Sequence, residues 1–238
     1  MSLTWLQQDH DTFPPLSEAL PDGLLAAGGD LSCDRLLSAY SQGIFPWFDR
    51  DNPILWWSPD PRMVLYTDQV KISKSLKKTL RQKPYQITFD QAFSEVMQSC
   101  ALPRQDSAGL EDGTWIHPEM VIAYSELHQR GHAHSVECWD GDKLIGGLYG
   151  IAIGRAFFGE SMFSFARDSS KIALVTLSQH MADWGMPLID CQLYSNHLAS
   201  MGASEIDRND FISEVTHLSA LPSASMAWKV KPELCLAP

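Results

Sequence analysis

With 238 residues, 45% of them hydrophobic and 20% charged, the chain has an ordinary globular make-up and enough length to bury a large core, which excludes a disordered or disulfide-stapled miniprotein. The 29 acidic residues outnumber the 18 basic ones and leave a net charge of −11, so the molecule as a whole is no polycation built for nucleic acid. Five cysteines, at positions 33, 100, 138, 191 and 235, form no CxxC pair and match neither zinc-site nor disulfide spacing. The N-terminus lacks the basic and apolar regions of a signal peptide, and no apolar run reaches the roughly 18 residues of a membrane span. Reduced thiols in a soluble cytoplasmic protein are expected.

Residues 1–62 are interrupted by Pro14-Pro15, Pro21-Asp22-Gly23, Gly28-Gly29-Asp30 and Pro59-Asp60-Pro61, and read as a separate small lobe. Ser32-Cys33-Asp34 precedes a short helix through Tyr40 that stops at Gly43. Trp47, Trp56 and Trp57 follow closely, as either a small aromatic core or a stacking surface. The pattern changes at Met63, where the larger unit, 63–238, is expected to begin with a strand over 63–66. Residues 71–83 then hold Lys71, Lys74, Lys77, Lys78, Arg81 and Lys83 without one acid. Lys71, Lys74, Lys78 and Arg81 share one helix face, and Ile72, Leu76 and Leu80 form an apolar seam. A merely solvated face needs no single sign, and like charges at this spacing repel, so the run favours a polyanion site.

A strand over 85–89, a helix over 92–100 and a loop over 103–113 come next. Pro118 opens a helix that ends at Gly131. Strands over 134–139, 143–153 and 156–163, joined at Asp140-Gly141 and Gly154-Arg155, predict an antiparallel meander. Ser169-Ser170 is expected to cap a helix over 171–184, followed by a buried strand over 187–193. Helices near 196–201 and 209–218 and an irregular tail from 221 complete the reading.

His128, His132 and His134 suggest a metal, but Gly131 interrupts any helix that would align 128 with 132, and no acid or thiol stands at ligand spacing. No GxSxG elbow and no phosphate-binding glycine loop occurs, which argues against serine-hydrolase, ATP and dinucleotide chemistry. Two acids are more informative. Glu160 interrupts a strand built from Phe157, Phe158, Met162 and Phe163, and Asp190 stands two residues from Gln192 on a short apolar strand. By strand alternation Asp190 and Gln192 share a face and Cys191 turns to the other. A buried acid must be paired or hold an unusual pKa, so both are site candidates, with a salt bridge or a backbone cap as the competing reading.

The chain closely resembles the bacterial leucyl/phenylalanyl-tRNA–protein transferases along nearly its full length. The resemblance rests on collinear blocks that include Gly43-Ile44-Phe45-Pro46-Trp47-Phe48, Leu55-Trp56-Trp57-Ser58-Pro59-Asp60-Pro61-Arg62, Gly113-Thr114-Trp115-Ile116, Gly131-His132-Ala133-His134-Ser135, Gly159-Glu160-Ser161-Met162-Phe163-Ser164 and Leu188-Ile189-Asp190-Cys191-Gln192. It implies an α+β protein: a small N-terminal lobe, then a GNAT-like acyltransferase domain with a mixed, mostly antiparallel sheet flanked by helices. The implied reaction moves Leu or Phe, less readily Met, from aminoacyl-tRNA to the N-terminal Arg or Lys of a protein, which is thereby marked for degradation. A monomer without cofactor, metal or membrane attachment is implied, because the donor is already an activated ester.

The resemblance also implies residue roles. Asp190 polarises Gln192, whose side-chain oxygen accepts a hydrogen bond from the attacking amine, and Glu160 meets the positive acceptor terminus. Leu148, Phe157, Met162, Ser164, Leu177 and Met181 line the aminoacyl side-chain pocket, and Trp47 and Trp115 stack on the terminal adenosine. Phe157 and Met162 have opposite strand parity, so a bulge at Gly159 is required if both point inward. The basic run, Lys77 and Lys83 included, meets tRNA phosphates. Two other readings compete. An acetyl-CoA-dependent N-acetyltransferase would carry a glycine-bearing pyrophosphate loop, which Ser164-Phe165-Ala166-Arg167-Asp168-Ser169-Ser170 lacks. A non-enzymatic tRNA-binding module leaves Glu160, Asp190 and Gln192 without a purpose.

Overall fold

The computed structural model describes residues 3–8, 12–82, 85–102, 104–105, 111–112, 116–223 and 228–235. The first strands and helix are β1 (Thr4–Leu6), β2 (Leu24–Gly28), α1 (Cys33–Ser41), β3 (Phe45–Pro46) and β4 (Leu55–Trp57). The strands form a four-stranded sheet in the order β1-β2-β4-β3. Ser32 caps α1 by accepting the Arg35 amide N–H at 3.4 Å, and Gly43, in the left-handed region at φ 73°, follows its end.

The chain continues through β5 (Arg62–Tyr66), α2 (Lys74–Gln82), β6 (Gln86–Phe89), α3 (Phe93–Cys100), the short pair β7 (Arg104–Gln105) and β8 (Glu111–Asp112), and α4 (Pro118–Gln129). The meander is β9 (Ala133–Asp140), β10 (Lys143–Ile153) and β11 (Ala156–Ser164). Then follow α5 (Ser169–Asp183), β12 (Leu188–Gln192), α6 (Asn196–Ser200), β13 (Ser204–Ile206), α7 (Arg208–Ala220) and α8 (Pro232–Cys235). Seven strands make one sheet, ordered β13-β5-β12-β11-β10-β9-β6. Only β11 and β12 pair in parallel among its neighbours. The class is therefore the expected α+β one, with a mixed and mostly antiparallel sheet flanked by helices.

Strand alternation gives the large sheet two apolar faces. Val64, Tyr149, Ile151, Phe158 and Leu188 lie in one core with Tyr40, Ile44, Phe45 and Trp56, so the N-terminal sheet and α1 share their interior with the large sheet. On the other face Leu65, Val136, Leu148, Phe157 and Ile189 pack with Ile172, Leu174, Leu177 and Met181 of α5 and Leu76 of α2. Each such side chain contributes about 1.5–3 kcal/mol when fully buried. Helix α5 is buried on most of its circumference, because the sheet lies on one side and α2 and the C-terminal segment on another.

Several local readings change, among them the loop expected over 103–113, within which β7 and β8 pair. Ser169 and Ser170 occupy the first turn of α5 rather than capping it, and Asp168 precedes it at φ 64° without a side-chain cap. The Ser169 hydroxyl instead serves the strand end, 2.8 Å from the carbonyl oxygens of both Ile145 and Ala166. A Cβ on Gly146 would come 2.3 Å from that hydroxyl, so the close approach requires glycine. Lys71 lies ahead of α2, because its amide N–H donates to the Met201 carbonyl at 2.8 Å in an extended crossing. Strand β13 and helix α8 were not expected, being too short and polar to show a period.

Candidate active site

The parallel ladder between β11 and β12 is short: Ala156, Phe157 and Phe158 pair with Leu188, Ile189 and Asp190. Beyond it the strands part, and a cleft of about 450 Å³ opens between them. Leu148, Phe157, Met162, Leu174, Leu177 and Ile189 form its apolar wall, Glu160 and Gln192 supply polar groups, and Trp47 and Tyr194 stand at its exposed rim.

A bulge shapes the β11 side. Gly150 pairs with Gly159 and Tyr149 with Ser161, which leaves Glu160 without a ladder partner. The extra residue reverses the alternation, so Phe157 and Met162 both face the α5 core. Glu160 points the other way. Tyr40 donates to its Oε1 at 2.6 Å and Tyr124 to its Oε2 at 3.1 Å, and the two tyrosine hydroxyls also touch each other. Burial lifts the Glu160 carboxyl to about 7 against the pull of these hydrogen bonds, with Asp190 nearby raising it further. Both tyrosines are held well above their ordinary range by burial and by Glu160, so they remain proton donors.

Asp190 is fully buried and paired with Arg62, itself fully buried. Arg62 Nε donates to Oδ1 at 2.8 Å and Nη2 to Oδ2 at 2.6 Å. The contact from Asp190 to Gln192 runs through the main chain: the Gln192 amide N–H donates to Asp190 Oδ1 at 3.0 Å. The implied polarisation of the Gln192 side chain by Asp190 is thus not the contact seen, because both carboxylate oxygens are turned to Arg62. The β12–β5 register slips between Asp190 and Gln192, and Gln192 adopts a left-handed φ of 57°. Its Nε2 is buried without a hydrogen-bond partner among the described residues.

Cys191 shares the side of Ile189, opposite Asp190, as alternation requires, and this side is the cleft's apolar wall, so Cys191 lines the cleft beside Ile189. Burial, with Asp190 beside it, pushes the Cys191 thiol far above its ordinary range. Leu148, Phe157, Met162 and Leu177 meet in the cleft, whereas Ser164 and Met181 do not line it. Ser164 stands at the end of β11 with its hydroxyl donated to Ala166 O at 2.8 Å, and Met181, one turn beyond Leu177, is wholly buried in the core. Trp47 is 41% exposed, its ring 5.7 Å from that of Trp57. Trp115 and Lys83 lie outside the described residues.

Lys74, Lys77, Lys78 and Arg81 line a groove along α2. That helix leans on α5, the cleft's wall, through Leu76 and through a 3.0 Å hydrogen bond from Thr79 Oγ1 to Asp168. Two of the three histidines of the metal reading are engaged otherwise: His128 stacks on Phe93 with centroids 4.2 Å apart, and His134 reaches Asp90 at 2.8 Å. Sequence reasoning gave no role to Arg62, Tyr40 or Tyr124. Only Arg62 carried a signal, as one cation leading directly into the apolar stretch Met63-Val64-Leu65.

A family model described as leucyl/phenylalanyl-tRNA protein transferase matches residues 64–216, and one for the N-terminal domain of the same enzymes matches residues 29–60. A leucyl/phenylalanyl-tRNA–protein transferase of Nitrosomonas europaea is 62% identical over 218 residues, 91% of each chain. A Pseudomonas fluorescens protein of the same name is 54% identical across 94% of this chain and 98% of its own. Among solved structures, L-PGS from Bacillus licheniformis aligns over 72% of this chain and 55% of that one, with 9% identity and a TM-score of 0.41, a likeness too slight to bear on function. By its family matches the chain belongs to the leucyl/phenylalanyl-tRNA–protein transferases, aminoacyltransferases that work from charged tRNA onto proteins.

Proposed function

We propose that this chain transfers Leu or Phe, and less readily Met, from its tRNA to the α-amino group of an N-terminal Arg or Lys, marking the acceptor protein for degradation. It acts as a cytoplasmic monomer, with residues 1–62 as the lobe that supplies the rim and 63–238 as the transferase body. The observation that carries this reading is the cleft itself: an apolar wall meets the Glu160 carboxyl and a Gln192 amide nitrogen that has no partner among the described residues, where two strands part. The apolar wall takes the aminoacyl side chain, with Leu148, Phe157, Met162 and Leu177 as contacts, and Ser164 and Met181 support it from outside. Trp47 and Trp115 hold the terminal adenosine, and Lys71, Lys74, Lys77, Lys78, Arg81 and Lys83 meet tRNA phosphates.

The chemistry needs little beyond placement. The acceptor amine, with an unperturbed pKa near 8, attacks the ester carbonyl. A carbon–nitrogen bond forms, the carbon–oxygen ester bond breaks, and the 3′-hydroxyl leaves with the proton the amine gives up. Gln192 orients the amine through its side-chain oxygen, and Glu160 attracts the cationic acceptor terminus, so catalysis is chiefly positioning and electrostatics. Labelled leucine supplied as leucyl-tRNA, with a protein bearing N-terminal Arg, tests this directly. Transfer that does not depend on acetyl-CoA is expected. Acetylation from acetyl-CoA, or tRNA binding without transfer, would contradict it.

A further inference from the structure

The reaction as proposed gives no task to Arg62, the buried cation paired with Asp190 behind the cleft. Arg62 is fully buried, its guanidinium carbon 4.7 Å from the centre of the Phe45 ring and 4.6 Å from that of Phe211. It spends two N–H groups on Asp190 and a third on the Gly43 carbonyl oxygen at 3.1 Å. Gly43 permits this packing, since a Cβ there would stand 2.8 Å from the Phe211 ring and closer still to Ile212. A planar fork, two aromatic faces and a backbone oxygen fix the cation in position and direction.

We propose that Arg62 is a positioning residue for aminoacyl transfer: it holds Asp190 so that Asp190 fixes the main chain of Gln192, which sets where the Gln192 amide stands in the cleft. The inference rests on the transferase reading above. Asp190 Oδ1 receives both the Arg62 Nε–H and the Gln192 main-chain N–H, so the carboxylate links the two. Gln192 sits in the left-handed region just where the ladder to β5 slips. A glutamine there costs free energy and persists only when its surroundings over-determine it. Its side-chain nitrogen has no partner among the described residues, so the amide's place is set from the backbone. Had Asp190 acted on the substrate or on the Gln192 side chain, any cation beside it would suffice; in the arrangement seen, the fork geometry of arginine is required.

Arg62→Lys retains the charge and loses the fork. Its kcat for leucyl transfer to a peptide with N-terminal Arg is expected to fall about 10–100-fold, the scale of a displaced positioning group. The KM for leucyl-tRNA is expected to stay within about twofold, and Arg62→Lys with Gln192→Ala to be no slower than Gln192→Ala alone. In spectra of glutamine-labelled protein, the Gln192 side-chain NH2 signal, assigned by its loss in Gln192→Ala, is expected to shift from its buried position toward that of a solvent-exposed amide in Arg62→Lys. Should Arg62→Lys fail to fold, the paired change Arg62→Met with Asp190→Leu removes both charges and carries the same expectations. A folded variant with wild-type kcat and an unmoved Gln192 signal would overturn the proposal, as would losses that multiply in the double variant. Failure of the wild-type chain to transfer leucine would overturn the transferase reading instead, while the Gln192 signal would still report on the positioning.

Discussion

At Glu160 one carboxyl accepts two tyrosine hydroxyls at the edge of a cleft and titrates at about 7. A raised carboxyl pKa means that the folded chain keeps a proton the unfolded chain has lost. This group's contribution to stability is therefore greatest below its unfolded value of 4.5 and is lost as pH rises through 7. The proposed role in acceptor binding runs in the opposite direction, since only a carboxylate would attract a cationic acceptor. Glu160→Gln is expected to raise the acceptor KM about 10–100-fold, the range of one charge-assisted hydrogen bond, and to leave the KM for aminoacyl-tRNA unchanged. The rise in acceptor affinity between pH 6 and 8 should disappear with it. An unaltered acceptor KM and pH profile would remove Glu160 from acceptor binding. If the apolar wall of Leu148, Phe157, Leu177 and Met162 takes the aminoacyl side chain as proposed, selectivity is decided at its mouth. A missing methylene is worth only about 1–3 kcal/mol, so shape at the mouth must separate isomers. Isoleucine is expected to transfer much more slowly than leucine at matched tRNA concentration, and equal rates would contradict the cleft as the side-chain site.

Helix α2 carries Lys74, Lys77, Lys78 and Arg81 on a chain that is otherwise strongly acidic. If these residues meet phosphates, affinity for tRNA falls steeply with salt. Lys74→Glu with Lys78→Glu is expected to raise the KM for leucyl-tRNA at least about tenfold and to affect a leucyl-adenosine donor far less; equal losses with both donors would dismiss α2 as a tRNA-body site. At this scale much was legible in the amino-acid order. The meander over β9, β10 and β11 follows from its alternation and tight turns, and the apolar seam Ile72, Leu76 and Leu80 does pack inward. The opposed parity of Phe157 and Met162 requires a bulge at Gly159 if both are to face inward, and the extra residue falls one position on, at Glu160. Tertiary events were not legible. Lys71 leaves the helix because its N–H pairs with Met201, more than a hundred residues away. The main-chain bond from Gln192 to Asp190 depends on a register slip that no period announces, and the Arg62–Asp190 pair joins residues brought together only by β5 lying beside β12.

Across the whole molecule the N-terminal sheet, α1 and one face of the large sheet form a continuous core, which places Trp47 at the rim of a cleft built by strands far along the chain. The other face is closed by the C-terminal segment. Trp228 stacks on His134 with centroids 3.6 Å apart, and the Lys231 amide N–H donates to His180 Nε2 at 2.8 Å. His180 gives its Nδ1–H to the Thr176 carbonyl, so the ring must be neutral to accept from Lys231. Burial lowers the His180 pKa, and Asp183, Lys231 and Glu233 surround it. The neutral ring's contribution to stability is therefore present above the unfolded value of 6.5 and lost as pH falls below it. Hydrogen-exchange protection of the Lys231 amide is expected to drop between pH 7 and 5 after correction for intrinsic rates. It should not drop in this way in His180→Phe, and a protection factor constant with pH in the wild-type chain would contradict the tie from His180 to Lys231.

The transfer itself is direct on this account. In the proposed mechanism the acceptor amine attacks the ester in one cleft, and the Cys191 thiol, its pKa raised by burial, is given no acyl-carrying role. The measurement that tests this most directly is a single-turnover quench of the enzyme with labelled leucyl-tRNA, with and without an acceptor peptide bearing N-terminal Arg. Leucyl-peptide should form at the turnover rate with no label bound covalently to the enzyme, and Cys191→Ala should behave alike apart from a packing penalty. Leucylated enzyme that forms without acceptor and decays at the rate of product formation would contradict the account.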